Sequence, residues 1–125
     1  VKLRHLDAEN AVRRALAARY LDRLAGAPLV LPVLRAEETA VFHQFVVRTP
    51  RREQLREFLL DQGISCGVLY PVPVHRQPAF ARPGLSLAET EKACAEVLCL
   101  PCHSALAAAD VDRVAAEILR WSGQA

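Results

Sequence analysis

The sequence predicts a small α+β fold: a mixed or antiparallel sheet of three or four strands with helices packed on it, led by a long N-terminal helix. Three observations predict it. Apolar residues recur at helical spacing near both ends of the chain, short β-branched and aromatic runs lie between, and glycine or proline punctuates most of the joins. At 125 residues the chain is read as a single domain (1–125), large enough for a hydrophobic core.

The first helix runs from about Leu3 to Leu24. Leu3, Leu6, Leu16, Tyr20 and Leu24 form its apolar stripe, and Arg13, Arg14, Arg19, Asp22 and Arg23 supply its wet side. Gly26 and Pro28 end it. A helix that opens without a capping residue is expected of a chain that begins partway through a longer protein. Leu29 to Leu34 is apolar but broken by Pro32, which fits a sheet edge. Ala36 to Ala40 is a polar turn. Val41 to Arg48 is the clearest strand, with His43 and Gln44 on opposite faces. His43 is more often a hydrogen-bonded structural histidine than a ligand-facing one. Thr49 and Pro50 open a second helix with a hydroxyl cap and a first-turn proline. Leu55, Phe58 and Leu59 form its buried stripe, and Gly63 stops it in the left-handed conformation. Ile64 to Leu69 reads as a short buried strand. Arg82-Pro83-Gly84 is a loop, and Ser86 to Glu89 spells a capping box for a helix reaching about Glu96. Val97 to Leu100 is brief and extended. The last helix spans about Ala108 to Ser122, with Val111, Val114, Ile118 and Trp121 on one face and Asp110 at its positive end.

Composition removes several classes of function. Hydrophobic residues make up 52% and charged residues 24%, which argues against disorder. A net charge of +2 is too small to imply nucleic acid or an anionic membrane. No apolar run reaches the length of a membrane span, and no signal peptide is visible, so the cytoplasm is the expected compartment. Cys99-Leu100-Pro101-Cys102-His103 matches the C-x-x-C-H signature of covalent haem attachment. That chemistry needs export and a second axial ligand, often Met, and the chain has no Met. Structural zinc needs a second ligand pair. Cys66, Cys94, Cys99 and Cys102 are therefore expected to be free, mostly buried thiols, with no metal.

The stretch from Gly63 to Phe80 organises the functional reading. After the strand, Tyr70-Pro71-Val72-Pro73 ends the ladder, since neither proline donates a backbone hydrogen bond. A stiff extended arm then presents Tyr70, His75, Arg76 and Gln77 at the strand end, an arrangement suited to binding, or to a plain solvent-facing connector. The run GISCGVLYPVPVHRQPAF resembles the segment GI-x-x-G-x-H-Y-P-x-P-x-H-x-Q-P-A-[YF] of the DegT/StrS group of pyridoxal-phosphate-dependent (PLP) nucleotide-sugar aminotransferases. Leu3-x-x-Leu6-Asp7 with Arg13, Arg14, Ala17 and Tyr20 resembles the helix entering that family's small domain. Val41 to Arg48 resembles its V-[YF]-H-x-[FY]-V-[VI]-R strand. Ala88-Glu89 followed by Glu96-Val97-Leu98-Cys99-Leu100-Pro101 resembles A-E…E-V-L-S-L-P, and Asp110 to Val114 resembles its last helix. The likeness covers nearly the whole chain in order.

The resemblance implies the C-terminal small domain of a fold-type I PLP enzyme. In the complete protein an amino group moves from an amino acid, usually glutamate, to a nucleotide-linked keto-sugar, at a site between large and small domains of a homodimer. It puts Tyr70 and His75 on the small-domain wall of the sugar pocket as substrate-binding residues. Arg76 offers a charge for the diphosphate. No catalytic, cofactor-binding or metal-binding residue is assigned in this chain. A PLP transaminase needs a Schiff-base lysine, a carboxylate for the pyridine nitrogen and phosphate donors. The chain has only Lys2 and Lys92, neither in such a motif, and no glycine-rich cradle. PLP is therefore expected in the full-length protein, none in this fragment, and the fragment alone is expected to be inactive. Family members often have His before the Tyr-Pro pair, where this chain has Leu69. That departure leaves open a PLP-dependent sugar dehydratase relative, and a free-standing α+β binding module is the reading from another class.

Overall fold

The computed structural model describes residues 2–123. A 3-10 turn, Lys2–His5, leads into α1, Leu6–Arg23; then follow β1, Phe45–Arg48, and α2, Arg52–Asp61. Two further 3-10 turns, Val74–Arg76 and Pro78–Phe80, precede α3, Ala88–Glu96, which runs directly into β2, Val97–Leu100; α4, Ala108–Ser122, closes the chain. The α+β expectation holds, with an antiparallel sheet.

β1 and β2 pair antiparallel with Phe45 opposite Leu100 and Arg48 opposite Val97. Each outer edge carries a single bridge, Val30 to Arg48 on one side and Gly67 to Cys99 on the other. The third and fourth strands expected of the sheet are reduced to these bridges, and the first strand is shorter than its apolar run. Residues 41–44 do not join β1: Phe42 takes a left-handed backbone (φ 46°) that bends the chain before Phe45. On the other edge, Ile64 to Leu69 makes one bridge and no more. Tyr70 is also left-handed (φ 54°) and Pro71 has no N–H, so the chain leaves the sheet. Pro32 limits the Val30 edge in the same way.

The core lies between the sheet and α1, α2 and α4. Tyr20, Leu24, Phe45, Val47, Leu55, Leu59, Leu98, Val111 and Ile118 are fully enclosed. Tyr20 stacks on Phe45 at 4.8 Å between centroids, and its hydroxyl donates to the Pro101 carbonyl (3.0 Å). The apolar stripe of α4 is the expected one with Ala115 added. α1 departs from expectation at its start, where Leu3 and Leu6 are exposed and burial begins at Leu16. Its polar side is not merely wet: Arg19 and Arg23 both donate to Asp112 of α4, Arg19 Nε at 2.7 Å and Arg23 Nε at 3.0 Å. Gly63 ends α2 as expected. It is left-handed (φ 72°), its N–H bonds the Leu60 carbonyl, and buried Ile64 reaches back to Leu59 (2.8 Å), the paired bonds of a Schellman cap. Thr49 Oγ1 accepts from Arg51 N at 3.2 Å, supporting the start of α2.

Candidate functional site

The segment after the Gly67 bridge is folded by its prolines and by one carboxylate. Tyr70 stands out at 77% exposure. Pro73 is buried and extended (φ −59°, ψ 145°), and Val74–Arg76 then close a 3-10 turn through an Arg76 N–H to Pro73 carbonyl bond of 2.9 Å. The expected extended arm is therefore a pair of tight turns. Proline fixes φ where a 3-10 turn also needs it, so the same residues that stop a strand permit this coil. Gln77 is spent inside it, its side-chain amide donating to the Val72 carbonyl at 3.2 Å.

His75 turns inward and is 8% exposed. Its Nε2 lies 3.0 Å from Glu91 Oε1, and Arg76 Nη2 donates to Glu91 Oε2 at 2.6 Å. Glu91 Oε1 also accepts from the Leu87 N–H at 3.1 Å, capping α3. The capping box expected of Ser86 and Glu89 is not formed. The helix begins at Ala88 with Leu87 as its cap residue, one position past Ser86, and Glu91, four residues after Leu87, reaches back instead. The His75 hydrogen bond, then the Leu87 N–H, hold the Glu91 carboxyl below its ordinary range, with Arg76 assisting. Sequence reasoning missed Glu91. Its signal was faint: a glutamate in the first turn of a helix with no other cap.

α3 is tethered by polar contacts, and none of its residues is fully buried. Arg52 Nη1 donates to the Cys94 carbonyl at 2.8 Å, Arg48 pairs with Glu96 at 2.9 Å, and the Thr49 N–H bonds the Glu96 carbonyl at 3.1 Å. These fix the helix that carries Glu91 to α2 and the sheet. Beside the clamp opens a groove of about 590 Å³, lined by Val74, His75, Phe80, Arg82, Leu87 and Thr90 among others. Tyr70 does not line it. With Gln44, Val46, Leu69 and Cys99 it borders a separate hollow of about 200 Å³. The structure thus joins His75 to Arg76 through Glu91 and leaves Tyr70 apart.

His43 is exposed and, among the described residues, makes no hydrogen bond, so the structural role expected of it is not what the fold uses. Its neighbour Gln44 does pair, accepting from Cys99 Sγ at 3.5 Å. Cys99 and Cys102 are buried while His103 is exposed, so C-x-x-C-H does not gather into a ligand set. Burial pushes both thiols up, and Cys66 up to about 11. Protonated thiols are poor nucleophiles and metal ligands at neutral pH. Among the described residues no group of three His, Cys, Asp or Glu could hold a metal ion. Lys2 and Lys92 are exposed, and neither lines the grooves above. No described helix is long and apolar enough to cross a membrane.

Comparison with known proteins agrees with this architecture. Residues 1–119 match the family model described as the DegT/DnrJ/EryC1/StrS aminotransferase family. The chain is 42% identical to a dTDP-3-amino-3,4,6-trideoxy-alpha-D-glucose transaminase of Streptomyces venezuelae, over 98% of this chain and 33% of that protein. It is 33% identical to a dTDP-3-amino-3,6-dideoxy-alpha-D-galactopyranose transaminase of Aneurinibacillus thermoaerophilus, over 97% of this chain and 34% of the relative. Among solved structures it superposes on S. venezuelae DesV in complex with a ketimine intermediate. The TM-score is 0.92 at 42% identity, covering 97% of this chain and 34% of that one. The chain spans about a third of the length of the curated relatives it matches.

Proposed function

Because the chain belongs to the DegT/DnrJ/EryC1/StrS aminotransferase family, we propose that it is the C-terminal small domain of an enzyme that transfers an amino group, from glutamate, to a keto-sugar carried on a nucleotide. The end-to-end match to sugar-nucleotide transaminases, each about three times as long, carries this reading. The rest of the complete protein would supply the PLP-binding large domain. Pyridoxal phosphate, when bound there, carries the amino group between the two substrates. The residues of this chain do not fit that cofactor as its anchor, since both lysines are exposed and away from the grooves.

The part left to this chain is recognition. His75, held at the groove beside Glu91, meets the sugar. Arg76 is more than half exposed and uses one terminal nitrogen on Glu91, so it keeps N–H donors for the diphosphate. Tyr70, on its own hollow, packs a second portion of the same long ligand. We place the complete protein in the cytoplasm as a homodimer, on the strength of the family likeness.

The test supplies the complete protein with PLP, glutamate and a dTDP-linked keto-hexose. Formation of 2-oxoglutarate in step with an aminated sugar nucleotide is expected. A sugar that loses water and gains no amine would instead assign the dehydratase chemistry of a relative.

A further inference from the structure

Glu91 collects three donors from two segments, and that has a consequence for the imidazole it holds. A carboxylate kept ionised by its partners can only accept, so the proton between His75 and Glu91 belongs on Nε2. The other ring nitrogen is then bare in the neutral ring. Nδ1 has no hydrogen-bond partner among the described residues, yet it is not sealed in: the fully enclosed, unpaired side-chain atoms are Arg48 Nε and Arg52 Nε. His75 is among the residues that line the groove, and with Nε2 turned to Glu91 the unpaired Nδ1 is the ring nitrogen left to face it.

We propose that Glu91 is the positioning residue for His75, holding its neutral imidazole as the Nε2–H tautomer so that Nδ1 meets the groove as an acceptor for a carbohydrate hydroxyl. The inference rests on the sugar-pocket reading above and deepens it. A diphosphate offers only acceptors, so a bare Nδ1 cannot pair with it; a hydroxyl can donate to it. The division of labour follows: His75 reads a sugar hydroxyl, and Arg76, turned by the same carboxylate, faces the phosphates. A carboxylate behind an imidazole fixes its tautomer and orientation in the same way behind metal-bound histidines.

The experiment is a nitrogen-15 spectrum of the histidine side chains in the complete protein at pH about 8. The His75 signal is identified by its loss in His75→Asn. A proton on Nε2 alone is expected; a proton on Nδ1, or on both nitrogens, overturns the proposal. Glu91→Ala should let the ring sample both tautomers and raise KM for the keto-sugar nucleotide about tenfold, with kcat held within about twofold. A single, unchanged tautomer in Glu91→Ala also overturns it. Should His75→Asn leave KM unchanged, the sugar-pocket reading fails and the acceptor role with it, whereas the spectrum decides the clamp independently.

Discussion

α4 and α3 are held by opposite means. α4 buries Val111, Val114, Ala115, Ile118 and Trp121 where it packs on α1 and α2, and the burial of such side chains is worth roughly 1.5–3 kcal/mol each for the larger ones. α3 buries none of its residues fully and is tied by Arg48, Arg52, the Thr49 N–H and the Glu91 clamp. Apolar burial is non-directional and tolerates small shifts. Hydrogen bonds at fixed distances set orientation. The molecule thus places its scaffold on the first kind of contact and its candidate site on the second, so stability and recognition should respond to different substitutions.

The largest effect is expected in the core that holds the scaffold. Tyr20→Ala removes a fully enclosed ring stacked on Phe45 and should cost about 3–5 kcal/mol by chemical denaturation. A loss under about 1 kcal/mol would mean the core closes over the gap without penalty. Tyr70→Gly should move stability the other way. The exposed ring gives little packing, and glycine relieves a left-handed backbone at φ 54°, so a gain of about 1 kcal/mol is expected alongside weaker sugar-nucleotide binding.

Glu91→Ala sharpens the contrast further. Global unfolding should hardly change, while exchange of the Arg76 and Gln77 amides quickens by roughly five- to tenfold, the effect of one net hydrogen bond. Uniform acceleration across α4 as well would show that α3 and α4 open together. The smallest effect belongs to Asp112, which joins α4 to α1. Hydrogen bonds from Arg19, then Arg23, lower its carboxyl from 3.8 to about 2. A depressed carboxyl stabilises the fold above its unfolded value, and that contribution fades as pH falls from about 4 toward about 2. An acid titration of helical content should lose its slope in that window in Asp112→Asn. Because the pair is solvent-exposed, the difference at neutral pH should be slight.

The same contrast explains what the sequence disclosed. The α4 stripe, the Leu55 and Leu59 pair and the Gly63 cap were legible because period and local turn chemistry settle them. Strand lengths were not, since Phe42 and Tyr70 adopt left-handed backbones that aromatic residues rarely take and that no pattern announces. Leu3 and Leu6 matched the helical period yet lie exposed, because period shows a face and not whether anything covers it. Within the candidate site, the prolines singled out the segment that carries His75 and Arg76, but not the 3-10 turns it folds into. Glu91 was hidden, 16 residues from His75, because a contact made by tertiary folding leaves no local spacing to read.

The measurement that tests the account most directly is calorimetric binding of a nucleotide-linked sugar to the complete protein and to its His75→Asn variant, each with its melting temperature. Affinity weakened about tenfold or more with melting unchanged is expected, because the site is set by oriented polar contacts on a scaffold held by other residues. Equal affinity in the two proteins would contradict it, as would a loss of binding that merely follows a lowered melting temperature.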